Sequence, residues 1–143
     1  MHTTSTPGTI TRQLQAITQN EITLGLLTRE AHWNVTGPGF YQHHELFGAH
    51  YKTIDGYVDE IAERIRQLGP LAAGQPANTE RDLQSSITGL MSGLVAQHKK
   101  TTELLKEGIR MAAAEGDEGT ADLLTGILQG HDKMLWMLNA SVN

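Results

Sequence analysis

Four residues of metal-ligand type, His32, His44, Asp59 and Glu63, stand in an order that no single helix can use. Imidazole and carboxylate donors suit hard and borderline cations such as iron and zinc. Between the two histidines lies Gly37-Pro38-Gly39, a chain reversal. It puts His32 and His44 at similar heights on adjacent helices, where two imidazoles can share a metal. Asp59 and Glu63 are an i, i+4 pair, so both carboxylates leave one helix face and can grip one cation together. The two halves cannot meet within one chain, because His44 and Asp59 lie about 22 Å apart along a straight helix. A shared site needs a second subunit, its copy of the same helix antiparallel across a two-fold axis, which creates two identical sites. The spacing alone also admits a plainer reading: hydrogen-bonded interfacial histidines and a solvated carboxylate face.

Long helices must position these residues. Ile10, Leu14, Ile17, Ile22, Leu26 and Leu27 recur at helical spacing, and Trp33 and Val35 carry the stripe toward Thr36-Gly37-Pro38-Gly39. A second stripe, Phe47, Tyr51, Ile54, Val58, Ile61 and Ile65, ends at Leu68-Gly69-Pro70. Residues 69–78 are rich in Ala, Gly and Pro and read as a crossover, with room for a short helix in the stretch from Thr79. Two further stripes follow. One carries Leu90, Leu94, Val95, His98, Leu105 and Ile109, the other Leu123, Leu124, Ile127, His131, Met134, Leu135 and Leu138, with Glu115-Gly116-Asp117-Glu118-Gly119 between them. The expectation is all-α: a short tail over 1–8, then one four-helix-bundle domain over 9–143. Two antiparallel hairpins are joined by a long crossover from the second helix to the third.

A chain of 143 residues has the size of one domain with one core. Its net charge of −5, with eleven scattered Lys and Arg, gives no footprint for a nucleic-acid surface. The absence of cysteine excludes disulfides and thiolate metal sites. The first residues show neither a basic nor an apolar targeting segment, and no apolar run approaches membrane-spanning length, so a cytoplasmic protein is expected.

The segments His32-Trp33-Asn34-Val35-Thr36-Gly37-Pro38-Gly39-Phe40, His44-Glu45-Leu46-Phe47 and Asp59-Glu60-Ile61-Ala62-Glu63-Arg64-Ile65 closely resemble the Dps family of mini-ferritins. The likeness continues through Thr120-Ala121-Asp122-Leu123-Leu124 and His131-Asp132-Lys133-Met134-Leu135-Trp136-Met137-Leu138. It implies a ferritin-like bundle assembling into a spherical homododecamer, with a ferroxidase centre at each two-fold interface and hydrogen peroxide or dioxygen as oxidant. By position, the resemblance gives His32 of one subunit and Asp59 and Glu63 of its mate to a tighter iron. Glu63 would then bridge to a weaker iron held by His44. Trp33 resembles the family's indole beside the iron and would give an electron to a stray oxidant, the alternative being plain packing. Asp117 and Asp122 resemble the acids that ring a three-fold pore, where acids also complement the start of the fourth helix.

One position departs from the pattern. Four residues after the second histidine the family usually carries a carboxylate, and here stands Gly48. His50 lies about 120° around the helix from His44, and His43 about 100°; both are poor substitutes and read as ordinary imidazoles, His50 as an exposed one. Glu45 would face the cavity and nucleate mineral, or else be a solvated surface acid. His98 and His131, on apolar stripes, read as satisfied core or interface histidines, and Trp136 and Met137 as packing residues.

Three functions compete. The first is an iron-oxidising, iron-storing cage that protects against oxidative damage. The second is a DNA-compacting protein, disfavoured because no Lys or Arg precedes Arg12 and the chain ends at Ser141-Val142-Asn143. The third is a shell whose depleted site takes up zinc, which the usual affinity order favours over Fe(II).

Overall fold

The structure, a computed structural model, describes residues 8–78 and 80–142. Four helices follow in order: α1 (Thr9–Asn34), α2 (Phe40–Leu68), α3 (Ile87–Ala114) and α4 (Glu118–Ala140). Among the described residues there is no strand. None of the helices is long and apolar enough to cross a membrane.

The helices form where they are expected, but the buried face of α1 departs from the expected stripe beyond Ile17: Ile22, Leu26 and Leu27 are only half-buried. On α1, Ile10, Leu14, Ile17, Glu21, Leu24, Thr28 and Ala31 are buried, stepping by three or four. On α2 the buried positions are Phe47, Gly48, His50, Ile54, Ile61 and Ile65. Pairing α1 with α2 requires a tight reversal, and Gly37 (φ 93°) and Gly39 (φ 79°) supply the left-handed backbone that a side chain would resist. Asp117 caps α4, accepting from the Thr120 amide at 3.1 Å and the Thr120 hydroxyl at 2.6 Å. Arg64 of α2 anchors that cap through Asp117 Oδ1 at 3.0 Å and Thr120 Oγ1 at 2.9 Å.

The crossover climbs back along α1. The Ala73 amide donates to Gln15 Oε1 and the Ala77 amide to Thr23 Oγ1, each at 2.9 Å, and Arg81 pairs with Glu30. The Thr36 amide donates to the Ser85 carbonyl at 3.0 Å. Rising 1.5 Å per residue, α2 ends at the start of α1, and the crossover must span that length again before α3 can run antiparallel to α1. It does so extended: residues 80–85 carry no helix, contrary to the expectation of one there, and Thr79 itself lies outside the described residues, as does the tail over 1–7.

Two further expectations need correction. The helical stripe of α1 stops at Asn34; Val35 is buried just beyond the helix, while Trp33 is 64% exposed in the subunit. Trp136 is likewise an outward residue at 65%, not a packing one.

The core is divided. Leu24, Ala31, Phe47, Ile54, Leu94, Met134 and Leu138 form one apolar cluster, and Leu14, Ile17, Ile61, Ile65, Leu105, Leu124 and Ile127 form another. On α1, α3 and α4 a buried polar residue falls between them: Glu21, His98 and His131.

Candidate metal centre

His32 and His44 meet as expected from the reversal between them. Their rings stack with centroids 3.9 Å apart and planes 13° from parallel. Phe40 lies 5.2 Å beyond His44, and Tyr51 5.5 Å from His32. Arg29 steadies Tyr51 from above, its guanidinium 4.8 Å from the ring, while it pairs with Asp55 at 3.0 Å.

The hydrogen bonding of the two imidazoles is reciprocal. His32 Nδ1 lies 2.6 Å from the His44 carbonyl, and His44 Nδ1 lies 2.6 Å from the His32 carbonyl. A carbonyl oxygen only accepts, so each Nδ1 must carry the proton and donate. In the neutral ring this leaves Nε2 with a lone pair. A backbone carbonyl fixing the tautomer of a histidine is the usual outer support of a metal-binding imidazole. The pair is therefore oriented as two Nε2 donors before any metal arrives.

Asp59 and Glu63 are exposed on α2 one turn apart. Neither has a hydrogen-bond or ion-pair partner among the described residues. Glu63 lines an open cleft with Glu60, Gln67 and Gly119 near the start of α4. Among the described residues of one subunit, no three His, Asp or Glu side chains are grouped to hold a metal. Two open carboxylates and two preset imidazoles thus stand on one chain at separate ends of α2. The donor set fits a divalent iron, provided that a second subunit joins the halves.

The neighbouring candidates are placed as follows. His43 packs on Phe47, with centroids 6.3 Å apart, and lines a different recess with Ile87, Met91 and Val142. His50 is not the exposed imidazole expected: it is 5% exposed, turned into the bundle, with no partner on either nitrogen. Burial lowers its pKa from 6.5 to about 4, the nearby His131 adding to the effect. Glu45 is exposed and lines a cleft with His32, Gly48, Ala49, Tyr51 and Lys52. Asp122 is exposed, whereas Asp117 is committed to its cap and to Arg64, which hold its carboxyl below the ordinary value. That neutralised pair is a weaker attractor for a cation than a free acid would be.

The sequence reading did not single out Glu21. It is fully buried, and its Oε2 lies 2.7 Å from His131 Nε2; His131 Nδ1 in turn lies 2.9 Å from His98 Nδ1. One of the two Nδ1 atoms must donate and the other accept, so the three side chains share protons along a line across the bundle. Burial raises the Glu21 carboxyl, with His131 opposing, and lowers His98 to about 3. The signal was present in the sequence: an acid at a core-facing position of α1, between Ile17 and Leu24.

This sequence matches the family model described as a ferritin-like domain over residues 11–143. It is 33% identical to the DNA protection during starvation protein of Agrobacterium fabrum, across 85% of this chain and 80% of that protein. It is 34% identical to an uncharacterised low temperature-induced protein of Nostoc, across 80% and 69%. Among solved structures, the Dps protein of Vibrio cholerae, described as a member of a broad superfamily of ferritin-like diiron-carboxylate proteins, superimposes with a TM-score of 0.86. It shares 26% identity over 94% of this chain and 89% of that one. The Dps of Thermosynechococcus elongatus gives 0.87 at 25% identity, over 94% and 90%.

Proposed function

This chain belongs to the ferritin-like family, in its Dps branch, and we propose that it is a ferroxidase: a mini-ferritin that oxidises Fe(II) between subunits and stores the ferric product inside a closed, dodecameric shell. The observation that carries this reading is the reciprocal Nδ1–carbonyl bonding of His32 and His44, which leaves a lone pair on each Nε2 for a metal.

Antiparallel pairing of α2 with its copy brings the His32–His44 pair of one subunit to Asp59 and Glu63 of the partner subunit. His32 with those two carboxylates makes the tighter position, and Glu63 reaches toward the weaker one at His44. The imidazoles offer nitrogen lone pairs without moving a proton first, while the carboxylates balance the charge that rises as Fe(II) becomes Fe(III). In the peroxide reaction two Fe(II) give up one electron each, the O–O bond breaks, and two protons are taken up to leave two waters. Dioxygen is the alternative oxidant. Trp33, next to His32 in the chain and exposed, would serve as an expendable electron donor.

Oxidation and storage of iron would protect the cell against oxidative damage, and no membrane is needed. Asp122, free at the start of α4, is the better of the two pore candidates. With a net charge of −5 and dispersed basic residues, direct DNA binding is not part of the proposal. Zinc is a competitor for the same donors rather than a second function.

Stopped-flow mixing of anaerobic, Fe(II)-loaded shells with hydrogen peroxide tests the reading. Fast oxidation by the unmodified protein should slow by about tenfold or more in His32→Ala and in Glu63→Ala, the scale on which outer supports alone already matter. Equal rates in all three would remove these residues from the chemistry.

A further inference from the structure

We propose that Gly48 is a positioning residue: its missing side chain is the seat of the His32 ring, and the seat excludes the carboxylate that would otherwise complete the weaker iron position. The inference rests on His32 being a metal ligand, as proposed above.

A Cβ built on Gly48 would lie 2.9 Å from His32 Cε1 and 3.0 Å from Nδ1, with Nε2 at 3.7 Å. Side-chain carbons do not tolerate such approaches, so something must move. The ring has little room to do so. Its Nδ1–H is committed to the His44 carbonyl at 2.6 Å, one face stacks on His44 at 3.9 Å, and Tyr51 stands 5.5 Å away. Gly48 is itself buried inside α2.

Nothing else calls for glycine there. Gly48 is absent from the glycines with positive φ, so its backbone conformation suits any residue. Glycine inside a helix costs about 1 kcal/mol relative to alanine. The contrast with Gly93 and Gly126 is direct: a Cβ on either meets nothing within 4 Å. Space for His32 is what Gly48 provides.

An aspartate at this position would therefore act through its Cβ before its carboxylate could bind anything. Gly48→Asp is expected to disturb His32 rather than to strengthen the second iron position. Instead the site keeps one well-formed position, built on a seated His32, and a second served only by His44 and Glu63.

The test is a double-mutant cycle between Gly48→Ala and His32→Ala, with anaerobic Co(II) as the probe metal and thermal unfolding of the metal-free shells as a second readout. Gly48→Ala alone should weaken tight Co(II) binding about tenfold or more while the shells stay assembled. In the His32→Ala background the same change should leave the residual Co(II) affinity unmoved. The thermal midpoint should fall with Gly48→Ala in the unmodified protein and rise with it in His32→Ala, where only helix propensity remains. A rise of equal size in both backgrounds overturns the seat, and does so whether or not His32 binds metal. Loss of Co(II) binding on Gly48→Ala with no reversal of the midpoint overturns it equally. Absence of tight Co(II) binding in the unmodified shell would overturn the ligand role of His32, leaving the midpoints to decide the seat.

Discussion

Shells assembled from equal amounts of His32→Ala and Glu63→Ala subunits are expected to oxidise Fe(II) at about a quarter of the unmodified rate, although shells of either variant alone are nearly inactive. Random pairing makes half of the two-fold pairs mixed. In each mixed pair one site collects both defects and the other receives an intact histidine pair from one subunit and intact carboxylates from its mate. Recovery therefore requires that the site be shared. Co-expression with two affinity tags isolates the mixed shells, and peroxide-dependent oxidation reads the rate. If tagged mixed shells remain as inactive as their parents, the halves of the site do not meet across a two-fold axis.

The second large effect is on stability against acid. His50 and His98 are buried as neutral rings, with pKa lowered to about 4 and about 3 by burial. Their unfolded value is 6.5, so the folded state binds fewer protons than the unfolded one in the window between. The stability these rings contribute is complete above pH 6.5 and is lost as pH falls through that window. For His50 the loss amounts to on the order of 3 kcal/mol by pH 4. Glu21 works the other way. Its raised carboxyl favours the fold at low pH and disfavours it as pH rises above 4.5, so it offsets part of the acid loss. Denaturant unfolding at pH 7 and pH 4.5 should show the fall, and His50→Leu should remove a large share of it by replacing a titrating ring with an apolar one of similar reach. A slope unchanged by that substitution would assign the acid sensitivity to other groups.

Much of this architecture was legible from spacing. Helix order, the Gly37-Pro38-Gly39 reversal and the i, i+4 carboxylates follow from periods of three and four residues and from glycine's freedom at φ 93° and 79°. The incompleteness of the site in one subunit also followed, because helical rise is a ruler. Other features depend on contacts that sequence spacing does not encode. His131 meets Glu21 across 110 positions of chain, and nothing local to either residue announces the other. His50 looked exposed by its distance around the helix from His44, yet the same rotation points it into the bundle beside Phe47 and Ile54. Gly48 looked like a vacancy because the comparison was one of ligand types. Only the position of the His32 ring, 2.9 Å from where a Cβ would sit, turns the vacancy into a seat. Trp136 was read as a packing residue from apolarity alone, a one-way rule that does not keep a large apolar side chain inside.

The most direct test is the position of the metal itself. Crystals of the assembled shell, soaked anaerobically with Fe(II) and measured on both sides of the iron absorption edge, should show an anomalous peak at each two-fold interface, within bonding distance of His32 Nε2 and of Asp59 and Glu63 of the partner subunit. A second, weaker peak should lie toward His44. A map with no peak at that interface, or with iron held only inside the bundle beside Glu21 and His131, would contradict the account.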